Sequence, residues 1–215
     1  MRTESNEKIK TYKVLNLYAG IGGNRKLWPE YVNGRKVEVT AVEYDPLTAK
    51  VYKDFFPEDV VVIDDAHKYL LEHYQEFDFI WASTPCQSHS KLRYYLGVKG
   101  KTADAIYPDF TLYQEITFLK FHSPCDWVVE NVVPYYKPLI PADFVIQRHC
   151  FWSNKFIFST NFKSDGIRDS SIEELSQHHG FDLTGKKLKN KAQTLRNCVA
   201  PELGLYVFEK IINAK

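Results

Sequence analysis

Short apolar runs, each stopped by a turn signal, alternate along the first two thirds of the chain with stretches whose apolar residues recur every three or four positions. Val14-Leu15-Asn16-Leu17-Tyr18 reads as a strand ending at Gly20, and Val37 to Glu43, Val60 to Ile63, Phe77 to Ala82 and Trp127 to Glu130 read as four more. Between them Leu47 to Phe55, Ala66 to Tyr74 and Thr111 to Phe121 have helical spacing, the last with Leu112, Ile116 and Leu119 on one face. The stretch from Gly23 to Tyr31 starts a further helix on the same reading. Continuous apolar strands alternating with amphipathic helices predict an α/β fold, a doubly wound and mostly parallel sheet with helices on both faces. In such sheets ligands bind beyond the carboxyl ends of the strands, so the residues just after each strand are where chemistry is expected.

The pattern changes after residue 140. Phe144 to Cys150 and Lys155 to Phe158 read as two strands joined by a turn at Trp152-Ser153-Asn154, and Asn161 to Lys191 is polar with scattered apolar residues. Pro201 to Ile212 is an amphipathic helix carrying Leu203, Leu205, Tyr206, Phe208 and Ile212. There is no internal repeat. A length of 215 residues fits one domain with at most a small appendage, and 44% hydrophobic with 26% charged residues excludes wholesale disorder. No apolar run approaches the ~18 residues of a membrane helix, and Met1 to Lys10 has no apolar secretory core, so a cytoplasmic, membrane-free protein is expected. Cys86, Cys125, Cys150 and Cys198 are far apart and form no metal-ligand spacing with histidine, which points to a reducing compartment and to no metal site.

Net charge is +1 and by itself says nothing of a polyanionic partner. The distribution says more. Lys91, Arg93, Lys99 and Lys101 fall in one stretch without an acid, and Lys186, Lys187, Lys189, Lys191 and Arg196 fall in another.

The strand ends carry reactive or ligand-binding residue types. The first runs into Ala19-Gly20-Ile21-Gly22-Gly23, where glycines permit close backbone approach to a ligand, although no G-x-G-x-x-G or phosphate-loop pattern is present. The second ends in Glu43, placed to accept the hydroxyls of a ribose; the third ends in Asp64-Asp65, placed to accept from an adenine amine. The fourth ends in Pro85-Cys86-Gln87-Ser88 and the fifth in Glu130-Asn131-Val132. These two loops should be neighbours across the sheet, so a thiol and a carboxyl would face one pocket, as needed for thiolate addition to an electron-poor ring.

In this order the motifs resemble those of the DNA cytosine-5 methyltransferases, class I enzymes that use S-adenosylmethionine, and the likeness runs through nearly the whole chain. Asn16 to Gly23 is similar to the family's first motif, with Tyr18 where phenylalanine is usual. The resemblance implies cofactor contacts from Tyr18, Ala19, Gly20, Ile21, Gly22 and Gly23, from Glu43 and Tyr44, from Asp65 and Ala66, and from Pro85 and Leu112. It implies further contacts from Asn197 and Val199, in a stretch similar to the family's tenth motif. It implies Cys86 as nucleophile to carbon 6 of a flipped-out cytosine and Glu130 as the group on ring nitrogen 3. Asn131 would orient Glu130 or the loop. Gln147-Arg148-His149 is a compressed version of the family's Gln-x-Arg-x-Arg, which puts Arg148 in the place of the base-contacting arginine, with His149 sharing that work.

Double-stranded DNA is the implied partner. Gln87 or Ser88 would fill the space left by the flipped base, while Lys91, Arg93, Lys99 and Lys101 would meet phosphates from a loop that closes over the DNA. Lys186, Lys187 and Lys189 would meet the backbone from the other side. Residues 11–158 and 192–215 would form the catalytic domain, leaving 159–191 as a reduced target-recognition segment of about thirty residues. That implies a short target, or recognition shared with a second subunit. The related tRNA cytosine-5 methyltransferases carry Phe-Thr after Pro-Cys, where this chain has Gln87-Ser88. A catalytically inactive DNA-binding paralogue would be expected to lack Cys86 or Glu130.

Overall fold

The computed structural model describes residues 10–100, 102, 104–158, 160, 162 and 170–214; Lys101 and the side chain of Lys99 lie outside that set. In chain order the strands are β1 (Thr11–Leu17), β2 (Tyr31–Val32), β3 (Arg35–Val42), β4 (Val60–Val62), β5 (Phe79–Ser83), β6 (Asp126–Val132), β7 (Phe144–Ile146) and β8 (His149–Ser153). The helices are α1 (Pro46–Phe55), α2 (Ala66–His73), α3 (Lys91–Tyr95), α4 (Thr111–His122), α5 (Ile172–His179), α6 (Lys191–Asn197) and α7 (Pro201–Ile212).

The sheet order is β2-β3-β1-β5-β6-β8-β7, with β4 also paired to β3. β1, β3, β4, β5 and β6 are mutually parallel, and Val14 sits opposite both Val39 and Phe79. β8 returns antiparallel to β6, and β2 pairs antiparallel with β3. From β1 the chain moves outward through β3 and β4, then crosses back to β5 and β6. The strand order therefore reverses between β1 and β5, where a crevice opens at the carboxyl ends.

Alternation along the strands explains the two layers. Leu15, Leu17, Ile80, Ala82 and Val129 face α2 and α4, packing on Leu70, Leu112, Ile116 and Leu119. Val14, Val39, Phe79, Trp81 and Val128 face the other way and pack on Leu203, Val207, Phe208 and Ile211 of α7. The buried face of α7 is thus Leu203, Val207, Phe208 and Ile211, while Leu205, Tyr206 and Ile212 are only half-buried. Each fully buried aliphatic side chain contributes about 1.5–3 kcal/mol. α5 and α6 sit on α1, with Leu175, Phe181, Leu183 and Leu195 against Val51 and Phe55.

Two expected elements differ. Residues 23–28 are successive turns, not a helix, with Arg25 N–H donating to Gly22 O and Trp28 N–H to Arg25 O, both at 3.1 Å. Tertiary contacts override helical spacing here. Asn24 Nδ2 donates to Asn16 Oδ1 in the core at 2.8 Å, and Trp28 stacks on Phe208 with centroids 4.6 Å apart. The hairpin near residue 150 turns at Gln147-Arg148, earlier than Trp152-Ser153-Asn154, so β8 spans His149–Ser153 and Lys155–Phe158 is not a strand. Gln147 adopts φ 54°, a left-handed conformation that a glutamine does not advertise. Residues 91–100 are also ordered locally, with α3 running into a π-helical turn at Leu96–Gly100.

Candidate active site

A cleft of about 580 Å³ opens at the strand reversal. Its floor is the turn after β1. Gly20 and Gly22 have φ of 56° and 87°, and Tyr18 also has a positive φ. The two glycines serve different purposes. A Cβ on Gly22 would stand 2.3 Å from the Phe56 ring, so that position is closed by packing; a Cβ on Gly20 would meet nothing within 4 Å, so that backbone is open to the cleft. Glu43, at the end of β3, accepts Gly20 N–H and Asp45 N–H at 2.9 Å each, one on either carboxylate oxygen. Burial pushes its carboxyl upward, and those two N–H groups act against the shift. Each oxygen retains lone-pair capacity for an incoming hydroxyl.

On the wall formed by β5 and β6, Cys86 and Glu130 both face the cleft. Asn131 Nδ2 donates to the carbonyl and the hydroxyl oxygen of Thr84 at 3.0 and 2.9 Å, and Val132 N–H fixes the amide by donating to Asn131 Oδ1 at 2.8 Å. Asn131 therefore holds the Pro-Cys loop and leaves Glu130 to another partner. That partner is His149, whose Nδ1 lies 2.6 Å from Glu130 Oε1. The register explains the contact: Glu130 is opposite Phe151, and His149 is its diagonal neighbour on the same face. Both residues are at most 5% exposed. Arg148 lines the cleft too, with Nη2 donating to the carbonyls of Arg196 (3.1 Å) and Cys198 (3.3 Å).

Cys86 Sγ is 4.0 Å from Asn197 Oδ1, which brings the carboxyl end of α6 to the thiol. Burial, reinforced by the Glu130 charge and opposed by Arg148, pushes the Cys86 thiol up to about 11. The resting protein thus stores a protonated thiol.

Behind the lining residues Tyr18 and His67 lies a buried polar group that helical spacing does not single out. Glu115 lies on the apolar face of α4, fully buried; Tyr18 donates its phenolic hydrogen to Glu115, and His67 Nδ1 lies 3.5 Å from the same oxygen. Its legible signal is an acid among Leu112, Ile116 and Leu119. Asp65 caps α2, accepting from His67 N–H at 2.8 Å and Lys68 N–H at 3.1 Å through one oxygen. Ala66, Thr111, Tyr44 and Val199 line the cleft, whereas Leu112 is buried in the core beneath it.

The polar surface residues are distributed unevenly. Gln87 lines the cleft, while Ser88 Oγ accepts Asp109 N–H at 2.9 Å. Arg93 is turned onto its own segment, donating to Asp104 O at 3.0 Å, and Lys91 is exposed at the start of α3. Lys186 pairs with Asp54 (2.8 Å) and Lys189 with Asp45 (2.7 Å), so both are tied to α1; Lys187 is exposed. Among the described residues no group of three or more His, Cys, Asp or Glu is arranged to hold a metal, and no helix is long and apolar enough to cross a membrane.

An open parallel sheet with a glycine turn, an acid at the next strand end and a thiol beside a carboxyl is an architecture for group transfer from a nucleoside cofactor. The sequence narrows that class: residues 12–137 match the model of the C-5 cytosine-specific DNA methylases, and the chain belongs to that family. Among solved structures it is similar in fold to the methyltransferase EhMeth of Entamoeba histolytica, at 12% identity and TM-score 0.53, covering 94% of this chain and 98% of that one. A DNMT2 mutant from Spodoptera frugiperda aligns at 25% identity and TM-score 0.39, over 57% of this chain and 36% of that one. A prophage-encoded Escherichia coli protein assigned as a DNA modification methyltransferase aligns at 20% identity and TM-score 0.38, over 59% and 34%. The chain spans about a third of the length of the last two. Comparison with curated protein sequences gives no match.

Proposed function

We propose that this protein methylates carbon 5 of cytosine in double-stranded DNA, with S-adenosylmethionine as donor, through a covalent adduct of Cys86. The observation that carries the reading is the placement of Cys86 and Glu130 at the ends of adjacent parallel strands, facing one cleft, with Asn131 tying the two loops together. The cofactor fits the remaining groups. The open backbone at Gly20 takes close approach, Glu43 has acceptor capacity for ribose hydroxyls, and Asp65 keeps one carboxylate oxygen for the adenine amine. Ala19, Ile21, Gly23, Tyr44, Ala66, Pro85 and Val199 complete its walls, and the bound cofactor supplies an electrophilic methyl group.

The target base must leave the duplex to reach this cleft. The Cys86 thiolate adds to carbon 6, Glu130 holds ring nitrogen 3, and carbon 5 becomes the nucleophile. Loss of the carbon 5 proton then expels Cys86. Lys91, Arg93, Lys99 and Lys101 meet the DNA backbone. The short stretch 159–191 limits how much sequence one subunit reads, which favours a short target or a second subunit.

Purified protein with tritiated S-adenosylmethionine should label duplex DNA, and Cys86→Ser should abolish the label. Labelling of tRNA and not of DNA would replace DNA by tRNA in this reading. A duplex containing 5-fluorocytosine should become covalently attached at Cys86; an active preparation that forms no adduct would remove the covalent step.

A further inference from the structure

Resting on that reading of the site, we propose that His149 is the proton source for Glu130, so that the pair hands one proton to ring nitrogen 3 as the Cys86 thiolate adds to carbon 6. Three observations carry it. The Nδ1–Oε1 distance of 2.6 Å is short for a hydrogen bond and puts the two groups within direct proton-transfer reach. His149 and Glu130 are both buried, so water does not readily exchange their shared proton. The other ring nitrogen, His149 Nε2, is buried without a hydrogen-bond partner, so Glu130 is the only hydrogen-bond partner of the ring among the described residues.

Arg148, the cation expected at this place, is directed instead toward the carbonyls of Arg196 and Cys198. Its fixed positive charge favours the thiolate of Cys86, while a Glu130 carboxylate opposes it. Glu130 in its protonated form therefore serves both requirements: it is a donor to the base, and it removes the negative charge that disfavours the thiolate.

The step balances. The pair begins with one proton more than a neutral imidazole beside a carboxylate. As the sulfur electron pair forms the Sγ–C6 bond, the C5=C6 pair shifts to C4–C5 and the C4=N3 pair to nitrogen 3, which takes up the proton. That extra proton starts on His149 Nδ1, passes to Glu130 across the Nδ1–Oε1 contact, and is delivered by Glu130 to nitrogen 3. The pair is left as neutral imidazole and carboxylate, and nitrogen 3 returns its proton when Sγ departs.

His149→Gln tests this, because the amide can donate to Glu130 but cannot release a proton. The expected result is a kcat lower by about 100-fold or more, with KM for DNA within about threefold of wild type, since general acid assistance is typically worth 10²–10⁴. A His149→Gln enzyme with wild-type kcat would overturn the proposal and leave His149 a positioning residue. Where the variant fails to fold, ¹⁵N-histidine spectra of the wild-type protein decide. The His149 ring should change from imidazolium to neutral imidazole when the 5-fluorocytosine adduct forms, and a ring whose protonation is the same before and after overturns the relay. Wild-type protein that labels no DNA would overturn the underlying reading and the relay with it.

Discussion

Asn131 grips Thr84 twice, through the carbonyl at 3.0 Å and the hydroxyl at 2.9 Å, and so locks the end of β6 to the residue two positions before the nucleophile. Removing the amide leaves a buried carbonyl with less compensation, at a cost of about 1–3 kcal/mol. It also frees the Pro-Cys loop. Asn131→Ala should lower kcat by about 10²-fold through misplacement of Cys86, with a smaller change in cofactor affinity. Steady-state methylation and calorimetric cofactor titration separate the two.

The raised Cys86 thiol makes a reactivity prediction with a defined sign. Iodoacetamide should modify Cys86 slowly at pH 7, and the rate should rise about tenfold per pH unit towards pH 9, because the thiolate fraction grows that way below the thiol value of about 11. Glu130→Gln removes the opposing charge and should speed modification at pH 8; Arg148→Gln removes the assisting charge and should slow it. Mass spectrometry of the Cys86 peptide reads both.

Glu115 raises the His67 imidazole, chiefly through their hydrogen bond, and burial raises Glu115 itself. His67 in the folded protein titrates above its ordinary 6.5, so its contribution to stability is complete below that value and is lost as pH rises through the folded value. Glu115 works in the same direction, since its buried carboxyl resists ionisation as pH rises. The melting temperature should therefore fall between pH 6 and pH 8, and fall less in Glu115→Gln. In that variant the NMR titration of His67 should move back towards 6.5.

Charge placement separates the two basic segments. Lys91 is exposed and outside the ion pairs of the described residues, whereas Lys186 is paired with Asp54. Each phosphate contact contributes about 0.9 to the slope of log affinity against log salt. Lys91→Ala should reduce that slope by about one such unit, and Lys186→Ala by clearly less. Fluorescence anisotropy with labelled duplex over a salt series measures it; equal effects would mean that the Lys186–Asp54 pair opens on DNA.

The strands and helices that stand on buried periodicity were readable directly. α1, α2, α4 and α7 lie within a residue or two of their expected bounds, and β1 begins three residues earlier than expected, because their apolar faces meet the sheet in the simplest way. The departures have particular causes. Residues 23–28 have helical spacing but are pulled into turns by Asn16, Gly204 and Phe208, none of which is near in sequence. The hairpin at Gln147-Arg148 lacks a glycine or asparagine to announce its positive φ, and that shift in register is what brings His149 to Glu130. The order of reactive residues could be read from the strand ends. The roles of His149 and Glu115 required knowing which strand lies beside which.

Trp28 donates its indole N–H to the carbonyl of Gly204, across 176 positions of sequence, and the Gly204 Cα lies so close to Asn24 that a Cβ would stand 2.4 Å from the Asn24 carbonyl oxygen. The floor of the cleft is therefore made from two segments near opposite ends of the described chain. A ribosome must have released residues 197–204 before the pocket can close, so an emerging chain carries its thiol in an unfinished site. The same seam offers a place to divide the protein: fragments cut between α5 and α6 would hold neither a complete floor nor a placed Cys86 until they met.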